Sequence, residues 1–113
     1  MTSIPEYTAS EIQAVQDAID RRYGRSMVIE VVETELRLHP DDREVTPCPA
    51  LYWEGRAARF LVTKTGESRY RPLFFYRVRT VYTTDLLEYD NLQDGVTAIL
   101  KAQADHEAKG GEG

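Results

Sequence analysis

Between Ala50 and Tyr82 apolar and polar residues alternate in three successive runs, and this stretch constrains the fold most, because consecutive strands must agree on which face is buried. Ala50 to Trp53 is joined to Arg56 and onward through Glu54-Gly55, read as a two-residue hairpin turn with glycine supplying a positive φ. Pairing across it sets Leu51 opposite Ala58, so Leu51, Trp53, Ala58, Phe60 and Val62 share a face. The next turn falls within Thr65-Gly66-Glu67-Ser68-Arg69. There an even-membered loop brings Arg59 onto the Phe74 face, whereas a three- or five-residue loop sets Phe60 opposite Phe74; hydrophobic consistency selects the odd loop. The apolar face then continues through Phe74, Tyr76, Val78 and Tyr82 on a fourth strand, while Arg59, Thr63, Arg71, Arg77 and Arg79 fall on the other.

The flanks supply what covers the apolar face. Thr8-Ala9-Ser10-Glu11 fits a capping box, so a helix starts near Ala9, with Ile12, Val15, Ile19 and Tyr23 on one stripe and Gly24 as a left-handed stop. Met27 to Leu38, β-branched and then alternating, predicts a long first strand. It is ended by the turn formers His39-Pro40-Asp41-Asp42. Asp90-Asn91-Leu92-Gln93 reads as an N-cap with glutamine at its third position, followed by a helix to about Ala108 whose stripe is Leu92, Val96, Ile99, Leu100 and Ala104. The predicted architecture is α+β: one domain over residues 1–108 in the order α-β-β-β-β-α, an antiparallel meander with both helices packed on one face. A glycine-rich disordered tail follows over 109–113.

Composition narrows the function classes. A chain of 113 residues supports one modest core, which excludes a two-domain enzyme. The net charge of −5 argues against a uniformly basic nucleic-acid or membrane-surface protein, and no apolar run approaches the roughly 18 residues of a membrane helix. The average conceals an asymmetry: Leu51 to Tyr82 holds six Arg and one Lys against two Glu, a net +5, and the rest carries −10. Met1-Thr2-Ser3-Ile4-Pro5-Glu6 lacks the basic start and apolar run of a secretory signal, so a cytoplasmic protein is expected. Cys48, between Pro47 and Pro49, reads as a half-buried thiol at the start of a strand, with an intermolecular or redox role as the alternative.

No constellation of acid, base and nucleophile, no phosphate loop and no metal-ligand spacing is recognisable, so neither catalysis nor a cofactor nor a metal is expected. His39 beside Asp41, Asp42 and Glu44 reads as a solvated turn, and His106 as a helix C-terminal residue favoured by the dipole. Asp85 or Glu88 beside Tyr89 is the one carboxylate candidate for a site.

The candidate site is the face opposite the helices, where Arg59, Arg71, Arg77 and Arg79 are interleaved with Leu61, Leu73, Phe75 and Val81. Arginine, aromatic and aliphatic side chains together are the composition of an interface core, and a contiguous apolar patch on a sheet needs a cover. The expected partner is a second copy or another protein. Two competing readings apply to the same residues. Arg59, Arg77 and Arg79 could simply pair with Glu30, Glu33 or Glu35 of the first strand while the loop Asp41 to Pro49 covers the apolar residues. The face could also bind single-stranded nucleic acid, with Phe75 stacking on a base and the arginines on phosphates, against the repulsion of the acidic remainder.

Overall fold

Thr8 sets where the chain first becomes regular: its side chain accepts from the Glu11 amide at 3.1 Å, and the Glu11 carboxylate accepts from the Thr8 amide at 2.8 Å. From this box α1 runs over Ala9–Tyr23 and stops at Gly24, whose φ of 70° is the left-handed conformation that glycine adopts without a Cβ clash. The computed structural model describes residues 4–24, 26–37, 41, 43–55, 58–77, 80–84 and 86–109. After α1 come β1 (Glu30–Leu36), β2 (Thr46–Glu54), β3 (Arg59–Gly66), β4 (Arg69–Arg77), β5 (Thr80–Tyr82) and α2 (Leu92–Ala108). All strands form one antiparallel sheet in the order β1-β2-β3-β4-β5. The expected α+β meander between two helices is therefore the fold; of the residues singled out above, Leu38, His39, Pro40, Asp42, Val78, Arg79, Asp85 and the tail from residue 110 lie outside the described residues.

The central register agrees with the sequence reading, by partly different means. Phe60 stands opposite Phe74, as the odd loop requires. The turn itself holds only Glu67 and Ser68 between the paired Gly66 and Arg69, and the parity is changed by a bulge that leaves Thr65 unmatched between Lys64 and Gly66. Ser68, at φ 55°, takes the left-handed position. In the preceding hairpin the closing pair lies two residues further along than expected, the Gly55 amide donating to the Ala58 carbonyl at 2.8 Å, so Leu51 faces Val62 and not Ala58. The slip is four residues, an even number, so the faces are preserved. Gly55 has no positive φ; it is needed for close approach, since a Cβ there would meet the Tyr23 hydroxyl at 2.3 Å and Phe60 Cε1 at 2.9 Å.

Three further expectations are corrected. The fourth strand does not run through to Tyr82: β4 ends at Arg77, and β5 pairs back on it with Phe75 opposite Val81 and Phe74 opposite Tyr82. The first strand is shorter than Met27 to Leu38, because residues 26–29 are tied instead to α1: the Met27 amide donates to Asp20 at 2.8 Å and Gln16 donates to the Met27 carbonyl at 2.6 Å. The second helix is capped by Asn91, which accepts from the Asp94 amide at 3.0 Å, one residue later than the Asp90 reading.

The core lies between the sheet and the two helices. Trp53, Phe60, Phe74 and Tyr82 form an aromatic row across β2 to β5, with ring centroids 5.2, 6.1 and 5.1 Å apart, and Val15, Ile19, Val96 and Ile99 pack on it. His106 joins this row; it is half-buried among Phe74, Tyr76 and Tyr82, with Nδ1 3.2 Å from the Tyr76 hydroxyl, so it is held by packing and not only by the helix end. Coverage by the helices stops short of β1. On the helix side of that strand Val31, Glu33 and Glu35 are exposed, while Val32, Thr34 and Leu36 on its other side are half-buried.

Candidate functional site: the uncovered face of the sheet

Because strand side chains alternate, the register places two rows on the face without helices. One row reads Glu54, Arg59, Phe75, Val81 across β2 to β5, and the next reads Glu30, Tyr52, Leu61, Leu73 across β1 to β4. Tyr52, Leu61, Leu73 and Phe75 are half-buried and Val81 is 50% exposed, making one contiguous apolar band rimmed by Glu30, Glu54 and Arg59. Tyr52 donates to Glu54 at 3.0 Å, and the same carboxylate lies 4.0 Å from Arg59. Desolvation, and then the Glu54 carboxylate, push the Tyr52 phenol above its ordinary range.

The next rows are closed. Ala50 and Cys48 have no exposed surface, and Thr63 and Thr65 are buried. The Cys48 thiol, buried three residues into β2 and directed at the Thr46 carbonyl at 3.4 Å, is pushed up by burial, an effect the Arg71 charge partly offsets. This corrects the half-buried placement expected above. Arg71 is drawn to Glu88, which accepts from Thr65 at 2.5 Å, from Arg71 Nε at 3.3 Å and from Arg69 at 3.5 Å. Burial works against the ionised Glu88, but these donors outweigh it and hold the carboxyl below the usual value of 4.5. Glu88 therefore staples the segment before α2 to the corner of the face. Next to it, Tyr89 exchanges two backbone hydrogen bonds with Tyr70, at 2.8 and 2.7 Å, and so covers the β4 edge.

The structure thus brings together Arg59, Leu61, Leu73 and Phe75 of the expected set, moves Arg71 one row away into an ion pair, and places Arg77 at the end of β4 opposite Thr80. Arg79 lies outside the described residues. Pairing of Arg59 with Glu33 or Glu35 is excluded by the register, since both glutamates oppose Pro49 and Pro47 on the helix side of the sheet. Arg59 takes Glu54. One contributor escaped sequence reasoning: Tyr52, although strand alternation alone places it on this face. Val81 lies on the face as expected, and Glu88 is one of the two carboxylates singled out; its partners were not legible, because its arginines are 17 and 19 residues away and only the folded loop joins them.

The opposite face holds a polar cluster that also went unread. Lys64, 4% exposed, donates to Glu11 at 2.7 Å and to the Glu6 carbonyl at 3.1 Å, and Tyr70 donates to the other Glu11 oxygen. Tyr7 stacks on Tyr70 at 6.2 Å and donates to the Val62 carbonyl at 2.7 Å. Desolvation raises both phenols well above their ordinary range, with Glu11 reinforcing it. Burial opposes the Glu11 charge, but the donors from Lys64 and Tyr70 and the Thr8 amide outweigh it and keep this carboxyl low. The signal was present in the sequence: Lys64 shares the buried parity of Phe60 and Val62, and a lysine there needs a carboxylate.

Among the described residues no three His, Cys, Asp or Glu side chains are grouped so as to hold a metal ion, and no helix is long and apolar enough to cross a membrane. Comparison with known proteins found no matching family model, no matching curated protein and no matching solved structure.

Proposed function

We propose that this protein works by association, and that the band of Tyr52, Leu61, Leu73, Phe75 and Val81, with Arg59 at its rim, is where a second copy of the chain binds. The observation that carries this reading is the direction of β1. Its side toward the face without helices carries Val32, Thr34 and Leu36, all half-buried, whereas Val31, Glu33 and Glu35 on the helix side are exposed, the reverse of a strand whose only burial is against the helices. Contiguous apolar side chains on an uncovered face are the pattern of a surface with a partner. The band covers two rows about 7 Å apart on five strands about 4.8 Å apart, a small area that suits a weak, concentration-dependent dimer.

Nucleic-acid binding is less favoured by the same geometry. Arg59, Arg69 and Arg71 each face a carboxylate that a phosphate must displace.

Light scattering after size exclusion, over a dilution series, tests the reading. The wild type is expected to shift from dimer to monomer on dilution, and Phe75→Glu to be monomeric throughout with an unchanged circular dichroism spectrum. A wild type that is monomeric at every concentration removes the proposal.

A further inference from the structure

We propose that the notch where β1 leaves β2 is a binding site for a basic amino-acid residue held by its flanking amides, such as a capped arginine. The notch follows from how β1 begins. Pairing of β1 with β2 ends at Glu30 opposite Tyr52, because the segment before it is drawn to α1 by the bonds of Met27 to Asp20 and Gln16. Trp53 and Glu54, the last two residues of β2, are thus left without a strand neighbour on the β1 side. The gap is a recess of about 390 Å³, within the range that small ligands occupy. Met27 and Val28 line one side of it and Tyr52, Trp53 and Glu54 the other, with Glu30 at the fork. This site goes beyond the association proposed above and does not depend on it.

The notch presents three kinds of group to a ligand. The first is backbone. The Gly55 amide donates to the Ala58 carbonyl across the β2–β3 turn, so by antiparallel alternation Glu54 turns its own N–H and C=O away from β3, to the β1 side. The register would set Val28 opposite Glu54, but Val28 is 77% exposed, precedes β1 and forms no backbone hydrogen bond with it. One extended residue can therefore pair there as an added strand does. The second is the Trp53 indole. Trp53 is 1% exposed, and its Nε1–H is the one buried side-chain donor without a hydrogen-bond partner among the described residues. Buried donors are ordinarily satisfied, so an orphan on a residue that lines an open recess points to a carbonyl acceptor on the ligand. The third is charge. Glu30 and Glu54 line the recess and, among the described residues, no basic side chain does; Arg59, not a lining residue, comes no nearer to Glu54 than 4.0 Å. Tyr52, which donates to Glu54, adds an aromatic ring. Two carboxylates and a ring select a cation over a neutral group or an anion.

The single tryptophan makes the test direct, since its indole N–H gives one isolated cross-peak in a ¹⁵N–¹H spectrum. N-acetyl-arginine N-methylamide is titrated into the full chain at low salt, beside the N-acetyl-norleucine analogue, which has the same amides and no charge. The expected result is saturable movement of the Trp53 indole peak and the Glu54 amide peak with one common Kd, several-fold tighter for the arginine compound. The double variant Glu30→Gln, Glu54→Gln, changed at two exposed positions, should lose that preference while its remaining amide peaks stay in place. An indole peak that does not move, or that moves without saturating, overturns the site. Equal affinity for the two compounds in the wild type overturns the choice of a cation. Light scattering on the same samples reads the association separately: a monomer that binds refutes only the dimer, and a dimer that does not bind refutes only this site.

Discussion

The two faces of this sheet are made from the same strands, yet the helix face holds the aromatic row Trp53, Phe60, Phe74 and Tyr82 and the other holds the half-buried band Tyr52, Leu61, Leu73 and Phe75. Each face also has one carboxylate node. Glu11 gathers Lys64 and Tyr70 under the start of α1, and Glu88 gathers Thr65, Arg69 and Arg71 at the corner of the open face. The difference between them is what lies above. Side chains under the helices are desolvated whatever the protein does, so their identity is dictated by the fold. Those on the open face stay partly wet in the single chain, so their apolar character gains less from the fold alone.

The sharpest way to break this contrast is to truncate neighbours on one strand. Phe74→Ala should cost about 3–5 kcal/mol and Phe75→Ala under about 1 kcal/mol in the monomer, because only the first leaves a cavity in a packed core. Equal losses in chemical denaturation under monomeric conditions mean that the open face is internal. The Glu11 node comes next. Glu11→Ala strands the Lys64 ammonium in a buried position at a cost of about 3 kcal/mol, and a Glu11→Leu, Lys64→Met double variant should recover most of it, since it removes both charges together. A double variant no more stable than Glu11→Ala shows that the network itself holds α1 to the sheet.

Gly55→Ala should destabilise by about 1–3 kcal/mol, because its Cβ collides with Tyr23 and Phe60; the double variant Gly55→Ala, Tyr23→Phe, which removes the nearer atom, should be measurably milder. The smallest effect is in pH dependence. Glu11 and Glu88 have depressed folded-state values, so each contributes stability that is fully present above the unfolded value of 4.5 and is lost as pH falls through the folded one. The denaturation midpoint is expected to be level from neutral pH to about 5 and to fall below it. Glu88→Gln should flatten part of that fall without changing the neutral-pH fold. An unchanged profile shows that the Glu88 corner is solvated in solution.

Much of this architecture was legible because it rests on local chemistry. The Thr8 box, the Gly24 stop, the α2 stripe and the faces of Leu51 to Trp53, Arg59 to Val62 and Arg71 to Phe75 follow from capping and from the helix and strand periods. Errors in turn placement and length did not matter there, since a four-residue slip keeps the faces and the unforeseen bulge at Thr65 restored the parity that the two-residue turn had changed. Less legible were features that depend on who neighbours whom. Glu33 and Glu35 seemed natural partners for the arginines, but a single strand's alternation does not say which of its sides meets the helices; pairing with Pro49 and Pro47 does.

The sequence by itself determined both helices, the central strands, their order and the apolar identity of both faces, because helix and strand periodicities are local and additive. Only the tertiary structure decided that the helices stop before β1, that Arg71 is spoken for by Glu88 while Arg59 stays at the rim, and that β1 turns its half-buried side away from the helices. Those outcomes depend on contacts between residues far apart in the chain, where strand order and the reach of each helix select among partners of similar chemistry.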